Sequence, residues 1–320
     1  MADYFVGIDL GGTKIYTALA NDKGEILEKI KLPTEADRGK RIVLDNIIKT
    51  VNRVVKDAGK TAEDVKVIGL GCPGPVNVRD GILTEPPNLP FDRIPIVDIL
   101  ESELDIPVVL DNDATVAALG EQVFGAGKEV DNLIYLTVST GIGGGIVIDG
   151  KVFHGYNGSA GEVGHMIVEP GGSLCGCGNR GCLEAMASGT SIGRMGRKAL
   201  RNNESSVIEE LSGGNEEKID ALLVANAARK GDKKAIDIYE TVGYYLGIGT
   251  GNLINLLNPE LILFGGGVSK DFDLFKERMI SIARKNTMSS AFAAVEFKPA
   301  ALGDETGLMG AVALALKSNI

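Results

Sequence analysis

A cluster of cysteines with one nearby histidine constrains this chain more than any other feature of its sequence. Cys175, Cys177 and Cys182 lie within eight residues, CGCGNRGC, and His165, one of only two histidines, lies ten residues before Cys175. Three thiolates and an imidazole form the tetrahedral ligand set of a structural Zn²⁺ site, and the intervening glycines allow the tight backbone that it needs. A disulfide would leave one cysteine of the cluster over, because Cys72 is about a hundred residues away. We therefore expect zinc on His165, Cys175, Cys177 and Cys182.

Composition narrows the functional classes. The 320 residues suffice for two domains, and 44% hydrophobic with 24% charged residues is typical of a soluble globular protein. The net charge of −10 argues against a nucleic-acid partner, since Lys and Arg supply most contacts to phosphate backbones. The N-terminal residues MADYFVGIDL do not form a signal peptide, and no apolar run reaches the roughly 20 residues of a membrane span. We expect a cytoplasmic protein without a membrane partner, in a compartment that keeps thiolates reduced.

Apolar runs and periodic stripes alternate along the first third of the chain. Strands are predicted over residues 4–10, 15–20, 26–32, 65–71 and 107–110. Apolar residues at intervals of three and four predict an amphipathic helix over 41–55. Gly11 and Gly12 separate the first two strands and predict a tight hairpin. Alternating strands and helices indicate an α/β domain.

A second unit of strand and glycine turn begins about 130 residues later and resembles the opening hairpin. It comprises a strand over 133–139, a glycine turn over 140–145 and a strand over 146–148. The repetition predicts two related halves, with the cysteine cluster inserted in the second. A long helix over 234–257, a buried strand over 261–264 and a final helix over 307–317 complete the pattern. The small residues of the final helix predict close packing against the first domain.

Three glycine turns follow predicted strands, after residues 10, 140 and 264. Such turns expose backbone N–H groups that can bind phosphate, and the first also offers a carboxylate for Mg²⁺, a hydroxyl and a cation. The chain contains neither the dinucleotide fingerprint nor a P-loop sequence. The turns instead predict a nucleotide held between two halves, with contacts from Asp9, Gly11, Gly12, Thr13, Lys14, Thr140, Gly141, Gly143, Gly265, Gly266 and Gly267.

Six motifs together resemble those of the ROK family of bacterial sugar kinases and repressors, within the actin-like, hexokinase-like ATPase fold. They are DLGGTK at 9–14, LDNDA at 110–114, STGIGGG at 139–145, GEVGH at 161–165, CGCGNRGCLE at 175–184 and GGGVS at 265–269. The resemblance covers essentially the whole chain, and the paired GEVGH and CGCGNRGCLE elements are its most specific part.

This resemblance implies two related α/β domains around a cleft that holds a sugar and ATP. The first comprises residues 1–114 with 304–320, whose C-terminal helix packs back on it, and the second comprises residues 115–303 with the zinc-binding insertion. It also implies that GGGVS lies by the adenosine and that the chain forms a homo-oligomer, either a dimer or a tetramer.

A carboxylate after a buried strand is the candidate for a catalytic base. Asp113 follows the strand over 107–110, at the carboxyl end where α/β ligand sites form, and precedes a helix predicted over 114–122. An alcohol that attacks a γ-phosphoryl group needs such a proton acceptor. The alternative is that Asp113 only caps the helix. The resemblance favours catalysis, because LDNDA carries the family's base at Asp113 and its sugar-binding asparagine at Asn112.

The resemblance also implies the other sugar contacts. Glu162, His165 and Glu184 belong to or flank the cysteine cluster, so an ordered cluster would fix all three, while Asn88 in EPPNLP and the backbone of Gly74 are further candidates. Sugar hydroxyls need such fixed carboxylates and amides. Zinc on one ring nitrogen of His165 leaves the other to face the sugar, so we expect a structural rather than a catalytic metal.

For three further residues the sequence allows a structural or surface role. His154, the other histidine, is interpreted as a surface or structural residue, and Cys72 as buried packing. Lys14 can contact phosphate or can be an exposed hairpin lysine.

Two classes of function compete. The first is an ATP-dependent hexose kinase, most similar to glucokinases, with N-acetylmannosamine, N-acetylglucosamine and fructose open as alternative substrates and ADP or polyphosphate open as donors. The second is a sugar-responsive transcriptional repressor, which needs a DNA-binding helix-turn-helix before the sugar domain. Because this acidic sequence starts at its first strand, we expect the kinase.

Overall fold

The computed structural model describes residues 3–84, 86 and 88–318, so Glu85 and Pro87 of the EPPNLP segment lie outside the described residues. Along these residues the strands are β1 (Tyr4–Leu10), β2 (Lys14–Asn21), β3 (Ile26–Pro33), β4 (Val65–Cys72), β5 (Val76–Asn77), β6 (Ile82–Leu83), β7 (Val108–Asn112), β8 (Leu133–Val138), β9 (Ile142–Ile148), β10 (Lys151–Val152), β11 (Leu261–Gly265) and β12 (Glu296–Pro299). The α-helices are α1 (Lys40–Asp57), α2 (Ile96–Leu104), α3 (Asp113–Phe124), α4 (Leu183–Ala187), α5 (Gly189–Arg201), α6 (Ser206–Ser212), α7 (Ala221–Arg229), α8 (Lys233–Leu257), α9 (Phe272–Lys285), α10 (Ser289–Ala294) and α11 (Thr306–Lys317). Within these described ranges, no helix combines the length and the apolar character that crossing a membrane requires.

The chain divides into two compact units. The first comprises Met1–Asp131, Gly145–Gly161 and Ala301–Ile320, and the second comprises Asn132–Gly144 and Glu162–Ala300. This division differs from the predicted boundary after residue 114, because α3 packs against α11 in the first unit. A Cβ atom at Gly120 of α3 would lie 2.7 Å from the backbone nitrogen of Gly310 in α11, so the two helices touch through backbone.

The first sheet has the strand order β3-β2-β1-β4-β7. β1 and β2 form the predicted antiparallel hairpin, and β1, β4 and β7 run parallel, with Asp9 opposite Gly71 and Gly71 opposite Asp111. Helix α11 lies against β1 and β4 at the close distance that its small residues predict, since a Cβ atom at Gly69 would lie 2.1 Å from the carbonyl oxygen of Ala311. The parallel strands therefore bring the ends of β1, β4 and β7 to one edge of the sheet.

The second sheet repeats this order as β10-β9-β8-β11-β12. β8 and β11 run parallel, with Thr137 opposite Gly265, so the turns that follow them leave the same edge. The predicted glycine turn over 140–145 is wrong in its extent, because β9 begins at Ile142 and includes the last three glycines. Gly145 has a packing role within the strand, since a Cβ atom there would lie 2.5 Å from the carbonyl oxygen of Ala114.

The core of the second unit forms around α8. Gly243 and Gly247 let α9 approach closely, since a Cβ atom at either would lie 2.7 Å from a backbone carbonyl oxygen of α9. Leu183, fully buried, packs against Gly249 on another face of α8. The residue directly after Cys182 is therefore anchored in the core, and this anchor fixes one end of the cysteine segment.

Candidate functional site

Asp9 lies at the end of β1, on the edge of the first sheet where the parallel strands finish. Burial raises the pKa of its carboxyl group, and the positive charges of Lys14 and Lys31 oppose this shift. Helix α11 begins beside the carboxyl group, since a Cβ atom at Gly307 would lie 2.8 Å from the Asp9 carboxyl carbon. Asp9 is thus a poorly solvated carboxylate, and a cation beside it would relieve the cost of its charge.

The first glycine turn is closed by backbone and threonine hydrogen bonds. Gly11 donates its N–H to the carbonyl oxygen of Lys14 at 2.9 Å, and the Thr34 hydroxyl donates to the carbonyl oxygen of Gly11 at 2.6 Å. Asn88, in the left-handed region with φ 64°, lies on this turn, because a Cβ atom at Gly12 would be 2.7 Å from the Asn88 Cβ. The structure therefore brings Asn88 to the predicted phosphate turn.

Asn112 and Asp113 lie where β7 passes into α3. Asn112 is the N-cap of α3, and its side-chain oxygen accepts a hydrogen bond from the Ala114 N–H at 2.9 Å. Asp113 is the first residue of the helix and is exposed, and its Oδ1 also accepts from Ala114 at 2.8 Å. Gly74 lies beside Asn112, since a Cβ atom there would be 2.7 Å from the Asn112 Nδ2. The structure thus assigns the N-cap position to Asn112, and Asp113 presents a carboxylate at the helix N-terminus, where the helix dipole stabilises it.

Cys72 lies beneath these carboxylates at the end of β4. The residue is fully buried, as the packing interpretation expects. Burial raises the pKa of its thiol well above the ordinary value, and the negative charges of Asp113, Asp111 and Asp9 raise it further. The same edge of the sheet therefore gathers three carboxylates around one inert thiol.

The pair of His154 and Asp111 is a feature of this edge that the sequence did not predict. The Nε2 of His154 lies 2.6 Å from the Oδ2 of Asp111, whose side chain is only 3% exposed. This hydrogen bond raises the pKa of His154 above its ordinary value. His154 is thus a partly buried, paired histidine, which agrees with the structural alternative of its interpretation and corrects the surface one. Asp111 stands in the LDNDA motif, but its partner is 43 residues away, and only the tertiary fold shows the contact.

The four predicted metal ligands come together in the second unit. Their ligand atoms all lie within 4.8 Å of one another. The Sγ of Cys175 is 3.7 Å from the Nδ1 of His165, and the Sγ atoms of Cys177 and Cys182 are 3.6 Å apart. A tetrahedral ion with sulfur bonds of about 2.3 Å separates its ligand atoms by about 3.8 Å. His165, Cys175, Cys177 and Cys182 therefore fit a closed tetrahedral metal site.

Glycines shape the cysteine segment into this site. Gly178 and Gly181 both have positive φ, and a Cβ atom at Gly181 would lie 1.7 Å from the carbonyl oxygen of Glu169. The backbone N–H of Asn179 lowers the pKa of the Cys177 thiol to about 7, while burial raises that of Cys182 to about 12. A bound cation would shift both thiols toward the thiolate form, because only thiolates bind a metal well.

Glu162 and Glu184 lie on opposite flanks of the metal cluster. The Oε2 of Glu162, 61% exposed, is 3.9 Å from the Nε2 of His165, the ring nitrogen that does not face the thiols. The Oε1 of Glu184 is 3.7 Å from the Sγ of Cys175, and its Oε2 accepts the Ile142 N–H at 3.0 Å. The cluster thus sets the positions of the Glu162 and Glu184 carboxylates and of the His165 Nε2. Glu184 also links the cluster to the start of β9.

The second and third glycine turns meet within the second unit. Ser139 donates its N–H to the carbonyl oxygen of Gly141 at 2.9 Å, which makes the turn that holds Thr140. A Cβ atom at Gly266, φ 86°, would lie 2.5 Å from the carbonyl oxygen of Val138, so the turn Gly265 to Gly267 abuts the end of β8. Gly143 lies beyond the turn, in β9.

Thr190 is a further residue of this region that the sequence did not predict. Its hydroxyl donates to the carbonyl oxygen of Thr140 at 2.8 Å, and Gly189 donates its N–H to the carbonyl oxygen of Ser139 at 2.7 Å. The start of α5 therefore holds the second glycine turn in place. The only local sequence pattern at Thr190 is a threonine shortly after the serine N-cap of α5, and this pattern does not identify Thr140 as the partner.

Known proteins resemble the chain over nearly its full length. Residues 5–318 match the model of the ROK family. The glucokinase of Halalkalibacterium halodurans is 37% identical over 308 residues, which are 96% of this chain and 93% of that protein. A putative xylose repressor of Caldicellulosiruptor sp. is 33% identical over 316 residues, which are 98% of this chain and 78% of that protein.

Solved structures share the fold. A ROK family glucokinase from Streptomyces griseus, in complex with glucose and AMPPNP, has a TM-score of 0.81 at 34% identity, with 98% of this chain and 100% of that chain covered. This similarity, together with the repeated sheet order, confirms the predicted actin-like, hexokinase-like α/β fold.

Proposed function

The chain belongs to the ROK family, and from this premise we propose that it is an ATP-dependent hexose kinase that transfers the γ-phosphoryl group of ATP to the 6-hydroxyl of glucose. The observation that carries the proposal is the exposed Asp113 carboxylate at the head of α3, beside the capping amide of Asn112. Relatives named glucokinase at 37% and 36% identity over nearly the full chain give the same reaction.

The chemistry assigned to the first unit is proton acceptance and sugar positioning. Phosphoryl transfer depends mainly on alignment and charge neutralisation, and the attacking hydroxyl must lose a proton. Asp113 accepts that proton through its carboxylate. Asn112, whose Oδ1 is already engaged with Ala114, offers its amide nitrogen to a sugar hydroxyl next to Gly74. Asn112 is thus fixed as the N-cap of α3, and this position sets the direction of the Asp113 carboxylate that follows it.

Nucleotide binding is assigned to the glycine turns. Gly11 to Lys14 in the first unit, and Thr140, Gly141 and Gly265 to Gly267 in the second, offer backbone N–H groups and one lysine to phosphate oxygens. Asp9 is the residue that would hold Mg²⁺, since its buried carboxylate is a hard oxygen ligand that lacks full solvation. When bound, Mg²⁺ neutralises the charge of the transferring phosphoryl group.

Zinc is the metal assigned to the cysteine cluster. The Cys₃His ligand set and its spacing suit Zn²⁺, and four protein ligands leave no open position for catalysis. Its role is to orient Glu162, His165 and Glu184 as sugar contacts, through the Nδ1 of His165 and the segment between Cys175 and Cys182.

The preferred hexose, the assembly and the location also belong to the proposal. Glucose is the proposed preferred hexose, with N-acetylmannosamine, N-acetylglucosamine and fructose as alternatives. The proposed assembly is a homo-oligomer, either a dimer or a tetramer. The cytoplasm supplies ATP and the reducing conditions that a thiolate site needs. A repressor function has less support, because the net charge of −10 disfavours DNA binding.

A sugar panel at fixed MgATP tests this function. We expect ADP release that depends on sugar, with the highest kcat/KM for glucose among glucose, fructose, N-acetylglucosamine and N-acetylmannosamine. A higher kcat/KM for another hexose would reassign the substrate and leave the kinase in place. If no sugar raises ADP release, and a gel shift with operator DNA persists as salt rises, the repressor function replaces the kinase.

A further inference from the structure

His154 lies outside the proposed catalytic residues, and the buried carboxylate of Asp111 joins it to the turn formed by Asn112 and Asp113. His154 follows β10, and its backbone carbonyl accepts the Ala160 N–H at 3.1 Å, which closes the loop on which it sits. Its Nε2 lies 2.6 Å from the Oδ2 of Asp111. Both residues belong to the first unit.

Asp111 uses its other oxygen on the backbone of the same turn. Its Oδ1 accepts the N–H of Asn112 at 2.8 Å, and Asn112 in turn caps α3, whose first residue is Asp113. The Asp111 side chain is 3% exposed, so a lost partner would leave a buried carboxylate poorly satisfied. A change at His154 therefore reaches Asn112 and Asp113 through one intermediate side chain.

The histidine has access to solvent through a cavity of about 730 Å³ that Asp111 also lines. The His154 side chain is 36% exposed, so it exchanges protons with water while its partner stays buried. The other charged groups that line this cavity are Arg79, Asp80, Asp98, Lys151 and Lys317. Among the ionisable groups around it, Asp111 has the largest effect on His154, and it raises the histidine pKa.

We propose that His154 is a positioning residue for phosphoryl transfer, which acts through Asp111 to hold the Asn112–Asp113 turn in its productive geometry. This role rests on the proposed kinase function, because Asp113 is the base that it positions. The raised pKa means that the charged pair is complete at and below the ordinary histidine pKa and is lost as pH rises through the raised value. Neutral His154 can still donate from Nε2, so alkaline pH weakens the contact without removing it.

Kinetics of matched variants test the role. His154→Gln keeps an N–H donor close to the Nε2 position without the charge, and His154→Ala removes the donor. We expect kcat with the hexose to fall about tenfold in His154→Ala, with KM for ATP unchanged, and to recover to within about threefold in His154→Gln. Lys151→Ala, which removes a charge from the same cavity without touching Asp111, is the control and should match the wild type.

The pH profile separates positioning from a merely structural role. In the wild type, kcat/KM should decline as pH rises through the raised His154 pKa, and His154→Gln should lack that decline. Equal kcat in His154→Ala, Lys151→Ala and the wild type would overturn the proposal. A wild-type chain with no sugar-dependent turnover would instead refute the kinase function on which the proposal rests.

NMR of the imidazoles provides a readout that does not need activity. The chain has only two histidines, so ¹⁵N imidazole spectra contain two spin systems, and His154→Gln assigns them. We expect the His154 resonance to titrate above its ordinary pKa in the wild type and to return toward that value in Asp111→Asn. An unshifted His154 titration in the folded wild type would overturn the pair itself, even if a kinetic variant fails to fold.

Discussion

Asp113 is the residue on which the proposed chemistry depends most. A carboxylate in the first turn of a helix is commonly explained by capping or by the helix dipole. Here Asn112 occupies the N-cap position, and Asp113 follows as an exposed first residue on the same sheet edge as Asp9 and Asp111. Asn112 therefore holds the N-cap position, while Asp113 also accepts the Ala114 N–H and lies where the helix dipole favours its charge. Proton acceptance is the role that we propose for it in addition.

Asp113→Asn is expected to lower turnover by roughly 10²–10⁴-fold while hexose still binds, because the amide keeps the shape and removes the proton acceptor. Steady-state ADP release and calorimetric titration with glucose measure the two effects. Asp57→Asn, which removes an exposed carboxylate at the end of α1, is the matched control and should behave as the wild type. Turnover within a few-fold of the wild type would leave Asp113 with a structural role only.

Sequence alone predicts Asn112, Asp113 and the cysteine ligands, because each stands in a compact motif. The pairing of His154 with Asp111 cannot be predicted in this way, since 43 residues separate the two and no local motif links them. The same limit applies to Thr190, whose partner Thr140 is 50 residues away.

At the scale of elements, the segment that ends at α4 links the metal cluster to two sets of contacts. Leu183 anchors this segment on α8. The Oε1 of Glu184 lies near the Sγ of Cys175, and its Oε2 accepts a hydrogen bond from the Ile142 N–H. The metal cluster is therefore joined to the turn that holds Thr140 and Gly141, as well as to Glu162 and His165. We expect loss of the metal to displace the proposed sugar contacts first, and to displace the turn with Thr140 and Gly141 less.

Cys177→Ala is expected to release the metal and weaken glucose affinity by about tenfold or more, with a smaller loss of ATP affinity, because the metal would no longer hold the three proposed sugar contacts Glu162, His165 and Glu184 in place. Metal content by elemental analysis and calorimetry with each ligand measure the outcome. Cys72→Ala removes the thiol of the other unit and should keep about one zinc per chain. Unchanged glucose affinity after loss of the metal would show that the cluster is remote from the sugar site.

Elements with a strong period or a clear apolar run are predicted well from sequence. The helix predicted over 234–257 is α8, Lys233–Leu257, and the first strand is β1 at the predicted bounds. The predicted start of this strand at residue 146 is wrong, because β9 begins at Ile142 and Gly145 serves close packing inside the strand. Local pattern does not distinguish these two uses of glycine.

At the scale of the whole molecule, two sheets with the same strand order confirm the related halves that a single repeated hairpin predicts. The predicted division between the halves is less accurate, because α3 follows the first boundary in sequence yet packs on α11. Helix assignment to a unit depends on tertiary packing, which the sequence pattern does not contain. The duplicated order nevertheless supports the assigned fold, with glycine turns in both units.

The most direct test of the proposed function is the identity of the phosphorylated product, followed by ³¹P NMR in a mixture of chain, glucose, ATP and Mg²⁺. We predict a glucose 6-phosphate resonance that grows in step with ADP, and none with 6-deoxyglucose, which lacks the accepting hydroxyl. ATP consumption without a sugar phosphate, or a phosphate on another hydroxyl of glucose, would contradict the transfer proposed here.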